Sequence, residues 1–277
     1  RESRVGAGRR PSNGGAVAVL NLKGPMPYRT YEWFDDRRPL MPALVGMAAW
    51  SENHGVKGVL LNLSGMQISR EMLWELREQA EGFKAAGKQV TVYADRLGLY
   101  QLMLASVADE IWIDPQGSLE MRGLRWGRTY YRAALDKLGL GVDEWRYFTY
   151  KSAFEALSRT EQSEADREQR QKLIDDFYET VRGLICESRG MTAAEFDRIV
   201  DEVGHVTAEQ AMEFGLVDHI GGLEEARKAA RTREFDETLA EAESPLGGVL
   251  GDPVWAVQEW AEPDRIAVLY AIGACSM

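Results

Sequence analysis

The residue in this chain best placed to do chemistry is Lys151, in the stretch Phe148-Thr149-Tyr150-Lys151-Ser152-Ala153-Phe154-Glu155. An apolar, β-prone run from Trp145 to Tyr150 delivers this one lysine at its end, and a polar segment and a long helical pattern follow. A lysine where a strand ends is either a solvated tether or a base held over a pocket. Free lysine has a pKa of about 10.4. It serves as a base near neutrality only where apolar walls strip its water and push that value down. Tyr147, Phe148, Tyr150 and Phe154 flank Lys151 and could form such walls. A lysine base also needs a nucleophile, and none is obvious. Ser152 is adjacent, but neighbours on an extended chain point opposite ways, which makes it a structural hydroxyl or a helper to the lysine. Ser64, in Ser64-Gly65-Met66, reads as a turn residue.

Other chemistries find less support. The three histidines, His54, His205 and His219, are scattered without ligand spacing. The two cysteines, Cys186 and Cys275, make neither a disulfide framework nor a metal site, and Cys186 falls in an apolar helical pattern as an inert core residue. Neither a metal nor a cofactor is expected. A net charge of −11 argues against a nucleic-acid partner, which would call for a basic face. No apolar run approaches the ~20 residues that span a bilayer, and no signal-peptide pattern is present. A soluble chain is expected, with any membrane anchor lying upstream of Arg1.

The elements that must position Lys151 follow from periodicity. With 277 residues, 45% of them hydrophobic and 28% charged, the chain can bury a sizeable core. Residues 1–14, rich in Arg and Gly, read as a flexible lead-in. Apolar runs at 15–24, 56–63, 89–94 and 110–114 predict strands, and a fifth strand is predicted over Glu144–Tyr150. Pro115–Ser118 reads as a turn. Helices are predicted at 42–51, 69–86, 99–107, 128–138 with Gly139 as its stop, 163–188, 193–203, 208–214 and 223–232. Ser163 and Asp166 form a cap pair for the long helix, and the acidic run Glu161–Glu168 reads as its solvated start. Strands alternating with helices imply βα units, a mostly parallel sheet and right-handed connections. The aromatics Trp112, Trp126, Tyr130 and Tyr131 read as core or subunit interface, and Tyr28, Tyr31, Trp33 and Phe34 as a loop folded back on the core.

Residues 233–264 change character: acidic, with Pro245, Gly247, Gly248, Gly251 and Pro253, they read as a linker. Arg265-Ile-Ala-Val-Leu-Tyr-Ala-Ile-Gly273 then repeats the pattern of Ala16-Val-Ala-Val-Leu-Asn-Leu-Lys-Gly24. The expectation is one domain over 15–232, and the first strand of a second copy over 265–277.

Several segments together resemble one family. They are Tyr93-Ala94, Leu104-Ala-Ser-Val-Ala-Asp-Glu-Ile-Trp112, Pro115-Gln116-Gly117, Gly123-Leu124, Tyr130-Tyr131, Leu135-Asp136-Lys137-Leu138, Thr149-Tyr-Lys-Ser-Ala-Phe-Glu155 and Ala211-Met-Glu-Phe-Gly-Leu-Val-Asp218. Over about residues 15–230 the chain resembles the amino-terminal half of long-form signal peptide peptidase A, or protease IV. The resemblance implies an α/β Clp protease/crotonase-like βα spiral. It also implies a membrane-associated bacterial serine endopeptidase, facing the periplasm or exterior, that degrades cleaved signal peptides with a Ser–Lys dyad. The first copy supplies the lysine, here Lys151, the second copy the serine, and protomers form a ring such as a tetramer. In single-domain members a Ser-Gly-Gly-Tyr-like segment carries the nucleophile; here that place reads Asp95-Arg-Leu-Gly-Leu-Tyr-Gln101, with no serine before Ser106. Their Pro-Gly-Gly oxyanion turn reads Ser64-Gly65-Met66 here. The expectation is a half-site, inactive alone. Two other functions stand beside it: a crotonase-type acyl-CoA enzyme, disfavoured because no acidic base announces itself near Gly65 or Gly98, and a non-catalytic assembly half of the ring.

Overall fold

The computed structural model describes residues 16–29 and 37–233. The sequence expectations for residues 1–14, for the linker beyond Arg233 and for the repeat at 265–277 lie outside the described residues, as do Tyr31, Trp33, Phe34 and Cys275.

The chain builds βα units in order. β1 (Ala16–Asn21), a short β2 (Gly24–Pro25) and α1 (Leu40–Glu52) lead to β3 (Val56–Asn62) and β4 (Met66–Gln67). α2 (Arg70–Ala85), β5 (Gln89–Gly98), α3 (Leu99–Ala105) and β6 (Glu110–Glu120) follow. Then come α4 (Arg132–Lys137), α5 (Glu155–Ser158), α6 (Glu164–Arg189) and α7 (Ala193–Arg198), which runs into a π-helical turn over Ile199–Val203. β7 (His205–Thr207), α8 (Ala208–Glu213), β8 (His219–Ile220), α9 (Leu223–Ala229) and β9 (Thr232–Arg233) complete the described fold.

The main sheet runs β7-β6-β5-β3-β1-β9, with β8 also against β6. Every pairing in it is parallel except β6 with β7. This is the α/β architecture with a mostly parallel sheet that the Clp protease/crotonase-like expectation called for. Its strands are apolar runs because both faces are covered. Alternate residues serve different cores: Ala18, Leu20, Val59, Leu61, Val92 and Ala94 join the large core with α1, α2, α3 and α6–α8. Val17, Val19, Leu60 and Tyr93 face the other way, under Ala226 and Ala230 of the α9 region.

Local signals set the helix boundaries. The Ser69 hydroxyl accepts from the Met72 backbone N–H at the start of α2, and the Ser163 hydroxyl accepts from Asp166 N–H at the start of α6. Arg77, buried on α2, donates to Met103 O and to the hydroxyls of Ser106 and Ser188, tying α2, α3 and α6 together. Ser106, the first serine after the Asp95 region, is thereby committed to structure.

Five sequence expectations are corrected. Pro115–Ser118 is not a turn but lies inside β6, which runs on to Glu120 across a register shift against β5 between Ala94 and Arg96. Proline is tolerated at such a bulge. Gly117 is required there, because a Cβ would sit 2.7 Å from Asp95 O. Glu144–Tyr150 is not a strand either: residues 140–154 are irregular, with a turn at the end. Both sides of β6 are already occupied, by β5 on one side and by β7 and β8 on the other, so this run has no ladder to join there, and its aromatics face solvent. Arg233, read as linker, pairs with Ala18 as the second residue of β9. The predicted helix 128–138 shortens to α4, and 223–232 ends at Ala229 before β9.

Candidate active site

The Lys151 turn is held by side chains rather than by a sheet. Lys151 N–H donates to Phe148 O at 3.1 Å, and Glu155 N–H donates to Ser152 O at 3.1 Å, opening α5. Lys151, Tyr150 and Phe154 point outward, while Ser152 and Glu155 point inward, 9% and 0% exposed. Ser152-Ala-Phe-Glu155 has the spacing of a capping box, yet both side chains turn to other partners.

Ser152 donates its hydroxyl proton to Asp166 Oδ1 at 2.5 Å. Asp166, on the first turn of α6 and only 1% exposed, also accepts from Gln162 Nε2 at 2.9 Å and Arg170 Nε at 2.8 Å. Arg128 Nη1 stands 3.6 Å away. Asp166 is therefore no part of a solvated helix start, whereas the other acids of that run, Glu161, Glu164 and Glu168, are exposed, as expected. Glu155 accepts the Ser163 hydroxyl at 2.5 Å and the Ser163 N–H at 3.3 Å, and it is paired with Arg146. Arg146 also binds Glu144, whose other oxygen accepts from Ser158 at 2.7 Å. Backbone ties complete the frame: Arg128 donates to Ala153 O, and Tyr131 N–H donates to Ala156 O at 2.6 Å.

Burial by itself would raise both inner carboxyls. The Ser163 hydroxyl and Arg146 outweigh it at Glu155, and Ser152, Gln162 and Arg170 outweigh it at Asp166, so both lie below their ordinary values. Both are thus charged near neutrality, and each carries several charge-assisted bonds.

Outside this frame the segment is apolar and open. Trp145 is 84% exposed, Tyr147 82%, Phe148 72%, and Tyr150, Phe154, Trp126, Tyr131, Leu138 and Leu140 are also exposed. Arg170 lies over Trp126, its guanidinium carbon 4.8 Å from the ring centroid. Trp112, Trp126, Tyr130 and Tyr131 do not gather into one cluster: Trp112 packs on the minor core and stacks on His219, whereas Trp126 and Tyr131 are open. Lys151 itself is exposed, so the walls that would desolvate it are not closed by the described residues.

The two places where the resemblance locates the nucleophile and the oxyanion turn do come together. β5, which runs on past the expected end at residue 94 to Gly98, passes beside the turn after β3 at its register shift, and Gly65 N–H donates to Asp95 Oδ1 at 3.4 Å. Gly65 needs its freedom, with φ at +68°. An oxyanion hole requires donors about 3 Å from developing charge; here a carboxylate already faces the donor, and no hydroxyl stands at the strand end. The Ser64 hydroxyl is buried without a hydrogen-bond partner. Cys186 packs half-buried against the core, where burial pushes its thiol up and away from reactivity. A groove of about 460 Å³ on another part of α6, lined by Tyr178, Asp197 and Val200 among others, includes none of the Lys151 frame. Sequence reading missed Asp166, Arg146, Arg128 and Arg170 as parts of this frame. The available signal was Ser152 and Glu155 at one-turn spacing beside the lysine, followed by an acid at the third position of α6.

The fold is an α/β chain with a mostly parallel sheet that presents Lys151 on a cross-braced turn. The chain belongs to peptidase family S49, whose model matches residues 82–235, more than half of it. It is 27% identical to Protease 4 of Salmonella typhi over 192 residues, covering 66% of this chain and 31% of that protein. It is 34% identical to Protease 4 of Haemophilus influenzae over 127 residues, covering 46% and 20%. It is 23% identical to the chloroplastic serine protease SPPA of Arabidopsis thaliana over 266 residues, covering 95% and 39%. The chain thus spans well under half the length of these relatives. Among the described residues no helix is long and apolar enough to cross a membrane.

Proposed function

We propose that this chain is the lysine-contributing half of a serine endopeptidase, in which Lys151 is the general base of a Ser–Lys dyad. Its serine would come from a second half of the same protein, and protomers would assemble in a ring. The substrates would be peptides, cleaved signal peptides among them, and the enzyme would work at a membrane through an anchor outside this chain. The observation that carries the reading is the contrast around Lys151. Its backbone is fixed from within by Ser152 and Glu155, while its outer surroundings, Trp145, Tyr147, Phe148 and Phe154, stand open to a partner. These exposed aromatics fall within ten consecutive residues, and a monomeric protein seldom leaves a large apolar patch uncovered. Covering it would surround Lys151 with apolar walls, the condition under which a lysine becomes a base at neutral pH. Membership of family S49 supports the same class of chemistry, and the Asp95 carboxylate facing Gly65 N–H, where the resemblance places the oxyanion turn, supports the reading that this half does not act alone.

The test is peptide-ester hydrolysis by this chain alone, by the protein carrying both halves, and by that protein with Lys151→Ala. The proposal expects activity only in the second. Steady turnover by this chain alone, abolished by Lys151→Ala, would overturn the split-site reading. Undiminished turnover by the Lys151→Ala protein would make this half a scaffold.

A further inference from the structure

We propose that Asp166 is a positioning residue for Lys151, acting through the hydroxyl of Ser152; the inference rests on the reading of Lys151 as the base. The segment that carries the lysine has no ladder: residues 140–154 make no strand or helix. Its place is therefore set by discrete bonds: Lys151 N–H to Phe148 O within the turn, the exposed Tyr150 hydroxyl to Glu168 at 3.0 Å, and, from a buried side chain next to Lys151, the Ser152 hydroxyl to Asp166 Oδ1 at 2.5 Å. Lys151 and Ser152 face opposite ways, one exposed and the other 9% exposed. Holding Ser152 inward fixes the direction in which Lys151 leaves the backbone.

Asp166 is suited to this task in three ways. It sits on the first turn of α6, a 26-residue helix whose start is itself capped by Ser163, so it is mounted on a rigid element. It is 1% exposed, so water does not compete for its oxygens. Its remaining capacity is taken by Gln162 and Arg170, with Arg128 at 3.6 Å. Those groups fix the carboxylate plane and leave Oδ1 aimed at Ser152. Arg128 also donates to Ala153 O, so one guanidinium touches both the anchor and the turn it anchors. Glu155, bound to Ser163 and Arg146, braces the other end of the same turn. A base displaced by about 1 Å loses on the order of a hundredfold in rate, so a small slackening here would be measurable.

The experiment uses the protein carrying both halves and compares Ser152→Ala, Asp166→Ala, the double variant and Lys151→Ala. Ser152→Ala removes only the link and leaves the buried carboxylate with its arginine and glutamine partners, so it keeps the test readable if Asp166→Ala does not fold. Expected is a fall in kcat on the order of ten- to a hundredfold for Ser152→Ala, with KM within about twofold. The acid limb of the pH–kcat profile should also move to higher pH, because a lysine that slips from the apolar cover the proposed second half would supply needs a more alkaline medium to act. The double variant should lose no more than Asp166→Ala, since the two side chains act as one unit. A Ser152→Ala protein with wild-type kcat and pH profile, beside an inactive Lys151→Ala protein, overturns the positioning role and leaves the base intact. A fall in kcat that only tracks loss of folded protein, with the pH limb unmoved, overturns it as well. Undiminished turnover by Lys151→Ala overturns the base reading itself, and with it this inference.

Discussion

The sheet region and the segment that carries Lys151 are built on opposite principles. The sheet and its helices are held by apolar burial: Leu60, Leu61, Leu76, Phe83, Val92 and Leu102 are fully buried, and strand pairing satisfies the backbone. The lysine segment reverses this. Its buried side chains are polar, Ser152, Glu155, Ser163 and Asp166, and its large apolar side chains are outside. Where chemistry could sit in the sheet region, at Gly65 and Asp95, the Gly65 backbone is bonded within the chain, its N–H to Asp95 and its carbonyl to Gly24 N–H. Where it could sit in the outer segment, at Lys151, the backbone is fixed and the surroundings are open. The first region turns its apolar side chains inward; the second turns them outward, which is what the proposed partner half would cover.

The contrast can be broken most severely in the core. Phe83→Ala should cost about 3–5 kcal/mol, seen as a lower denaturant midpoint for the whole domain. Glu155→Ala leaves Arg146 and the Ser163 hydroxyl without their buried acceptor and should cost about 1–3 kcal/mol. Its loss should be local: amide exchange should rise over residues 146–163 and stay slow in β1, β3 and β5. Equal loss of protection in the sheet would show that the two regions are one cooperative unit.

Acid should separate the regions in the same way. Glu155 and Asp166 are held below the ordinary carboxylate range, which centres near 4. Their bonds thus contribute stability fully above about pH 4, and it is lost as pH falls through their lower folded values. Fluorescence of Trp126 and Trp145 should change in that window before the sheet unfolds. The smallest effect on stability belongs to the outer surface: Trp145→Ser with Tyr147→Ser should shift the stability of this chain alone by no more than about 0.5 kcal/mol per site. The same pair should sharply reduce association with the serine-bearing half, measured by sedimentation. A large loss of stability would mean that these aromatics serve the fold rather than a partner.

The same contrast explains what could be read from the sequence. Strands β1, β3 and β5 were legible because residues buried on both faces leave continuous apolar runs. Ser69 and Ser163 announced their helices because a cap is a local device. Trp145–Tyr150 misled because aromatic, β-prone composition marks a surface to be covered as well as it marks a strand, and only the occupied edges of β6 decide which. Pro115–Ser118 misled because a bulge and a turn call for the same residues. Asp166 was read as a solvated helix-start acid because sequence shows that it is near a helix N-terminus, not that Ser152, Gln162 and Arg170 converge on it from outside its own turn. Lys151 was legible as a chemical group. The frame that holds it was not, since that frame is made of contacts between residues 128, 146, 152, 155, 163 and 166.

The most direct measurement of the central claim is the rate at which a fluorophosphonate acylates the serine of the protein carrying both halves, with Lys151 and with Lys151→Ala. If Lys151 is the base, labelling should fall by at least about a hundredfold in the variant at pH 7, while Ser64→Ala should label as the unaltered protein does. Equal labelling with and without the lysine would contradict the account.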